Sequence, residues 1–411
     1  MSGDLTTLGA VVKATGGVLQ TGPFGSQLHA SDYQFTGKPL VMPVNLGDNE
    51  IREAGIARIG VEDAHRLRRH ALREGDIIFS RRGDVGRRSL VRTREAGWLC
   101  GTGCLAARFG SDRTTVNPAY VADYLGGTSA QAWLVDNAVG GTMPNLNTSI
   151  LSALPVWLPS KLEQDRIVAA LEDVRKVIDS IQHLIAKRQA IKQGMMQHLL
   201  TGRTRLPGFN EAWSETTLGA VARFSKGAGL PKAALTSSGS TLCIHYGELF
   251  TFYGPEIRQV FSRTTPTGRV VVSEDLDVLM PTSDVTPRGL AKASAIHGAG
   301  VVLGGDILII RPDKAHAHGP FVAHAIRHHA DQVLQLVRGS TVYHLYATDM
   351  RNFALSLPSV NEQRAIAGAL LDADRQLEAL EERLMKARAF KTGMMQRLLT
   401  GHTRLPTEAA T

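Results

Sequence analysis

Apolar residues recur at Ile167, Leu171, Val174, Ile178, Ile181 and Ile185, and again at Ile366, Leu370, Ala373, Leu377, Leu380 and Leu384. Both series step 4-3-4-3-4, with Lys, Arg, Glu and Asp gathered elsewhere on the helix. That is an a/d seam held for nearly three heptads. Alone, either helix would leave its stripe in water. Two in one chain bury both stripes by packing on each other, and the small Ala373 lets the backbones approach. Outside these stretches the pattern changes. Asp76–Ser80, Leu99–Arg108, Arg269–Val272, Leu276–Met280 and Asp306–Arg311 are short apolar runs set off by Gly, Pro and Ser, which predicts short strands.

The helical stretches are copies of one another. Leu158–Pro207 recurs as Leu357–Pro406 at a constant offset of 199, with 24 of 50 positions identical. Each copy opens Leu-Pro-Ser-x-x-Glu-Gln and closes Gly-Met-Met-Gln-x-Leu-Leu-Thr-Gly-x-Thr-Arg-Leu-Pro. Ser160 with Glu163, and Ser359 with Glu362, read as capping boxes. Gly194 and Gly393 fall inside the helices at a cost of ~1 kcal/mol each against alanine, which predicts a bend or close packing there. Gly202 and Gly401 read as C′ stops, with Pro207 and Pro406 shortly after.

The segments between the helices echo each other more faintly. Thr7-Leu8-Gly9-Ala10-Val11 returns as Thr217-Leu218-Gly219-Ala220-Val221, and Gly75-Asp76-Ile77-Ile78-Phe79 has a counterpart in Leu276-Asp277-Val278-Leu279-Met280. Gly141-Thr142 matches Ser340-Thr341 at the helical offset. The chain therefore divides into a mixed, β-rich domain at 1–157, a helix at 158–207, a second mixed domain at 208–356, and a second helix with a C-terminal tail at 357–411. The fold class is α+β with a pseudo-twofold internal repeat. A kept scaffold with divergent interiors fits two readers of different targets on one frame.

Composition narrows the setting. Three cysteines (Cys100, Cys104, Cys243) form no CxxC pair, which suits a reducing compartment. Cys100 and Cys104, four apart, are expected on one face of a strand. Residues 1–10 lack a basic and then apolar leader, and no apolar run approaches ~20 residues, so the expectation is a cytoplasmic protein without membrane contact. A net charge of +8 over 411 residues is a weak sign of nucleic-acid binding. Local charge is stronger. Arg66, Arg68, Arg69, Arg73, Arg81, Arg82, Arg87, Arg88, Arg92 and Arg94 face only Glu74, Asp76 and Asp84 within the same stretch. Such a run is either a solvated face or a phosphate-binding one.

Three motifs invite chemistry. Asn117-Pro118-Ala119-Tyr120 is one residue from the Asn-Pro-Pro-Tyr signature of adenine methyltransferases, which would make the chain itself an enzyme acting on a flipped base. The same residues also read as an N-cap and N1 proline opening a helix over Ala119–Leu125, and no glycine-turn cofactor site accompanies them. His316, His318, His324, His328 and His329 cluster, with His324 and His328 on one helix face. No cysteine or HExxH glutamate joins them, so surface or phosphate-facing histidines are expected and no metal. Ser80-Arg81-Arg82-Gly83-Asp84 follows a strand, where arginine can bond guanine N7 and O6 or grip phosphate.

Taken together, Leu-Pro-Ser-x-x-Glu-Gln, Gly-Met-Met-Gln-x-Leu-Leu-Thr-Gly, the run from Thr21 through Gly22-Pro23-Phe24-Gly25-Ser26-Gln27 to Leu28, and the run from Gly75 to Arg87 resemble the specificity subunits of type I restriction-modification systems over essentially the whole chain. The second half lacks the Gly-Pro-Phe-Gly-Ser and Ser-Arg-Arg-Gly motifs. The resemblance implies two target-recognition domains, each reading half of a bipartite sequence in double-stranded DNA. It also implies an antiparallel helix pair that spaces them. Two methyltransferase subunits and restriction-translocase subunits would be partners, bringing S-adenosylmethionine and ATP with Mg, while this chain binds no cofactor and has no catalytic residues. DNA contacts are expected from Gln27, Arg81, Arg82, Arg87 and Arg88 in the first domain. In the second they are expected among Lys226, Lys232, Arg263, Arg269, Thr282, Ser283 and Arg288. The polar rather than basic run Pro281–Arg288 implies an asymmetric target. A self-contained methyltransferase and a coiled-coil protein scaffold are the alternatives.

Overall fold

The computed structural model describes residues 3–140, 144–266 and 268–405. Gly141, Thr142, Pro406 and the tail beyond it lie outside the described residues. The chain forms two compact units, Met1–Ile181 with Arg383–Thr411, and Gln182–Glu382. Each unit takes one end of each long helix, Lys161–Leu199 and Val360–Leu398.

In the first unit the main strands are β1 (Gly3–Thr7), β2 (Val18–Thr21), β3 (Ile77–Ser80), β4 (Arg88–Leu90), β5 (Cys104–Arg108) and β6 (Pro155–Pro159). β2, β5, β3 and β4 form one antiparallel sheet in that order. β1 pairs with β6 in front of the first long helix. A separate sheet uses Tyr33–Gln34, Ala57–Ile59, Lys38–Val41 and Leu99–Cys100.

The second unit repeats this frame. Its strands are β7 (Ser214–Thr217), β8 (Ala222–Lys226), β9 (Val278–Pro281), β10 (Ser283–Asp284), β11 (Ser294–Ile296), β12 (Ile307–Pro312), β13 (Tyr343–His344) and β14 (Ala354–Leu357). β8, β12, β9 and β11 stand in the order of β2, β5, β3 and β4, with Glu256–Ile257 added at the edge. β7 pairs with β14 as β1 does with β6.

The faint echoes are structural. Leu8 and Leu218 are fully buried, and their amides donate to Leu154 O and Phe353 O at 2.8 and 3.0 Å. Asp76 and Asp277 are buried at the starts of β3 and β9, accepting from the amides of Arg73 and Glu274 at 2.9 and 2.8 Å. Arg311 on β12 clasps Asp277 with two bonds of 2.8 Å, and Arg108 on β5 lies 3.9 Å from Asp76. The residue before each aspartate has a positive φ, +87° at Gly75 and +70° at Leu276. A side chain at Gly75 would also meet the Arg113 guanidinium at 2.8 Å. Gly75→Ala is therefore expected to cost about 1–2 kcal/mol of stability, read as a lowered urea midpoint.

Burial follows the seam. Ile167, Leu171, Ile178, Ile181, Ile366, Leu370 and Leu377 are buried; Val174, Ile185, Ala373, Leu380 and Leu384 are half-buried. In the first unit Ile167 and Leu171 share a core with Leu398 and Leu399. In the second, Ile366 and Leu370 share one with Leu199 and Leu200. Within each unit, the start of one helix thus lies beside the end of the other, which is antiparallel packing.

Several expectations are corrected. The helix-opening glutamates do not complete capping boxes. Ser160 Oγ accepts from the Glu163 amide at 3.3 Å, but the buried Glu362 is held by Arg205 through two bonds of 2.6 Å, and Glu163 lies 3.7 Å from Arg404. The end of each repeat thus grips the start of the other. Gly194 and Gly393 do not interrupt the helices and do not serve close packing, since a Cβ at either would meet nothing within 4 Å. Gly202 and Gly401 do adopt the left-handed turn, at +68° and +73°. Arg269–Val272 forms no strand; its valines lack a ladder partner beyond one bridge from Val272 to Val302. Gly101 and Gly103 split the run Leu99–Arg108 in two, so Cys100 and Cys104 lie on different strands, though both reach one core.

Candidate nucleic-acid interface

In an antiparallel sheet, the end of one strand lies beside the start of its neighbour. The last residues of β2 and β3, Thr21 and Ser80, therefore flank the first residue of β5, Cys104. Three loops leave this one end of the first sheet: 22–32, 81–87 and 101–103. Gly22 N donates to Cys104 O at 2.9 Å, and Arg81 N to Gly103 O at 2.8 Å. Gly22 is obligatory, because a Cβ there would sit 2.1 Å from Gly101 O.

The second unit builds the same end. Gly227 N donates to Ile307 O at 3.0 Å, and its Cβ would sit 2.0 Å from Gly304 O. Thr282 N donates to Asp306 O at 3.0 Å. Gly227-Ala228-Gly229 is thus the counterpart of Gly22-Pro23-Phe24, an equivalence hidden by the divergent residues after each glycine. Leu146 N donates to Arg81 O, and Leu345 N to Thr282 O, at 2.8 and 3.0 Å. Arg81 and Thr282 therefore hold one structural position with different chemistry.

The fate of each expected DNA-contacting residue differs. Arg82 is exposed on the loop between β3 and β4, bridged by its backbone to Asn145. Arg81 is half-buried, with an Nε that finds no acceptor. Arg87 is exposed and bonds Asp84 at 2.8 Å. Gln27 closes its own turn, its side chain accepting from Phe24 N at 3.2 Å while Phe24 is left 54% exposed at the tip. Arg88 departs from expectation. It opens β4 but points inward, with only 5% of its side chain exposed, bonding Ala122 O at 2.9 Å and Asp48 at 3.3 Å. Burial works against ionisation of Asp48, and Lys391 and Arg88 overcome it to hold that carboxyl below its usual range.

In the second unit, Lys226, Thr282 and Ser283 line one pocket at the sheet end. Lys226 lies 3.3 Å from Asp306, and Ser283 Oγ lies 3.0 Å from His344 Nδ1. Lys232 and Arg288 sit on the segments that leave this end, Arg288 reaching Asp331 at 3.7 Å. Arg263 lies beside the Lys232 segment, its carbonyl accepting from Thr236 N at 2.9 Å, but its side chain is engaged elsewhere. Arg263 belongs to a small three-stranded sheet, where it donates to Gly239 O at 3.0 Å, and Arg269 is exposed in a loop.

The family model described as the type I restriction modification DNA specificity domain matches residues 65–190 and 210–387. The chain belongs to this specificity family. It is 23% identical over 393 residues to a putative type I restriction enzyme MjaX specificity subunit of Methanocaldococcus jannaschii, covering 90% of this chain and 88% of the relative. Its fold is similar to the type I restriction-modification S subunit from M. genitalium, with a TM-score of 0.59 at 14% identity over 97% of this chain and 96% of that one. It is also similar to a chain from a study of complex assembly and conformational transition in a type I R-M system, with a TM-score of 0.58 at 17% identity over 97% of both chains.

Seen as a specificity-family member, the chain uses its tempting motifs structurally. Asn117 caps the helix Pro118–Tyr124, accepting from Ala119 N at 2.9 Å and donating to Asp165 at 2.7 Å. Tyr120 is fully buried and donates to Trp157 O at 2.9 Å. Nothing of that motif is left to hold a base. Of the histidines, His316 is exposed and His318, His328 and His329 are half-buried, but His324 departs from the expected surface position: it is fully buried, and burial pushes its imidazole down to about 4. Among the described residues, no three His, Cys, Asp or Glu side chains are placed to share a metal, and no helix is long and apolar enough to cross a membrane.

Sequence reasoning missed the glutamine of Leu-Pro-Ser-x-x-Glu-Gln. Gln164 is fully buried, accepting from Asn117 N at 2.8 Å and donating to Thr115 O and Pro159 O at 3.0 and 2.8 Å. Gln363 makes the same three bonds to His318 N, His316 O and Pro358 O. Its repetition was the available signal. One buried amide thus clamps each recognition domain to its long helix.

Proposed function

We propose that this chain is the DNA-reading subunit of a type I restriction-modification assembly, and that it catalyses no reaction itself. Its first domain reads one half of a bipartite, asymmetric target and its second domain reads the other. The two long helices space the domains and, with the surfaces around them, dock methyltransferase and restriction subunits. Those partners bring S-adenosylmethionine and ATP with Mg. The observation that carries this reading is the equivalence of two sheet ends with unlike residues at matched positions, Arg81 against Thr282. A frame kept in duplicate with its contact residues changed suits two different sequences better than one.

The test is to map N6-methyladenine in DNA exposed to the chain with its methylating partner. Two fixed half-sites separated by unspecified bases are expected. Methylation without sequence preference would refute the reading, and methyl transfer by the chain alone would favour the self-contained enzyme.

Gly194 and Gly393 support docking on the helices. Each gives up helix stability, yet a Cβ at either would meet no other part of the chain within 4 Å. An alanine at either is expected to raise stability by ~1 kcal/mol. The same change is expected to weaken co-purification of the methylating subunit, because a methyl group would stand in the approach path. Unchanged assembly would assign the glycines no docking role.

A further inference from the structure

The second domain has a pocket of about 380 Å³ at its candidate reading end; its accessible apolar wall is Ala347 and the half-exposed Tyr346, over a floor of the buried core residues Leu308 and Leu345. His344 and Ser283 form its polar rim, and Lys226 stands beside them. Three observations make this a built feature. β10 pairs with β13, setting Ser283 opposite His344. The Ser283 hydroxyl and His344 Nδ1 are 3.0 Å apart, and the other ring nitrogen, Nε2, has no partner among the described residues. The first domain has Arg81, a long side chain with a buried Nε, where Thr282 leaves space here.

We infer that this pocket reads a thymine of the second half-site, taking the 5-methyl group against Tyr346 and Ala347 while His344 Nε2–H donates to O4. The inference rests on the DNA-reading function proposed above. With the Ser283 hydroxyl donating to Nδ1, the neutral imidazole carries its proton on Nε2, so the rim presents a donor. A donor beside an apolar hollow selects among major-groove edges. Thymine offers an acceptor next to a methyl group. Cytosine offers an amino donor, adenine an amino donor beside N7, and guanine two acceptors without a methyl. Only thymine satisfies both parts of the pocket. Lys226, whose partner Asp306 is itself half exposed, is placed to hold a flanking phosphate. None of the arginines expected to contact DNA takes part, so the second half-site is read here by His344, which charge and motif alone did not single out.

The experiment measures equilibrium binding by the full chain assembled with its methylating subunit, using a duplex carrying the target found by methylation mapping. Each thymine opposite the second domain is replaced singly by deoxyuridine, which removes only the methyl group. One position is expected to lose about fourfold in affinity, the worth of one buried carbon. His344→Ala is expected to weaken binding to the intact target about tenfold and to cut discrimination between T·A and C·G at that same position to about the fourfold that the methyl group alone provides. Ser283→Ala, which frees the imidazole tautomer, should do so in part. Undisturbed preference at the first half-site verifies that each variant is folded. A wild-type complex with sequence preference but no methyl-sensitive thymine, or a His344→Ala complex with unchanged base preference, overturns the pocket assignment alone. A wild-type complex with no sequence preference overturns the proposed function and the pocket with it.

Discussion

Replacing Arg175 with alanine is expected to destabilise the first unit by about 3–5 kcal/mol, because it strands a buried carboxylate. Arg175 projects from the first long helix onto Asp123, which is fully buried, and their side chains bond directly. Asn49 adds a bond of 2.7 Å to the same carboxyl oxygen. Burial raises the Asp123 pKa, and Arg175 and Arg88 pull it back. Without Arg175 it rises further above its unfolded value of about 3.9. A raised folded pKa contributes stability that is complete below the unfolded value and is lost as pH rises through the folded one. The deficit of Arg175→Ala should therefore be larger at pH 8 than at pH 4. Urea denaturation at both values measures it, and adding Asp123→Asn should recover much of the loss at pH 8. A cost below 1 kcal/mol at both would mean that water reaches the carboxylate.

The same network separates the two units chemically. At the repeat offset, Arg175 corresponds to Asp374 and Lys391 to Lys192. In the second unit Lys192 pairs directly with Asp374, so the two helices satisfy each other. In the first unit both positions are cationic, and the recognition domain supplies Asp123 and Asp48. The charge inversion at this repeated position changes what the helices bind. Repacking the first domain onto the other end of the helices would set its carboxylates against Asp374.

The long helices were legible because a heptad stripe depends only on spacing along the chain. So was the shared frame, since Leu8 with Leu218 and Asp76 with Asp277 occupy positions that the core and the turn dictate. The candidate interface was only half legible. Arg81 and Arg82 stood out because charge at a strand end is visible in sequence, but the inward turn of Arg88, six residues past Arg82, depends on Asp48 and Ala122 arriving from remote segments. His344 was hidden for the converse reason. Its position is set by pairing with Ser283, 61 residues away, and no local pattern marks it. Glu163 and Glu362 fit a local capping rule, yet arginines from the opposite repeat outbid the cap for both.

Alanine at both Arg81 and Arg82 is expected to cost 2–5 kcal/mol of specific DNA affinity, about 30-fold or more, with relaxed base preference confined to one half-site. Each bidentate contact to a base edge is worth about 1–3 kcal/mol. Arg82 is exposed, and among the described residues no carboxylate holds it, so it pays no internal bond to reach DNA. Arg81 has an unpartnered buried Nε, a cost that swinging outward onto a base or phosphate would relieve. The two roles separate by salt. Loss of a phosphate contact lowers the slope of log affinity against log salt by about one and weakens all sequences alike, whereas loss of a base contact relaxes one position and leaves the slope nearly unchanged. Single alanine variants measured from 50 to 200 mM salt, on targets altered in one half-site at a time, assign each arginine. Equal relaxation of both half-sites would contradict a first domain that reads alone, since Thr282, at the matched place in the second unit, carries no such charge.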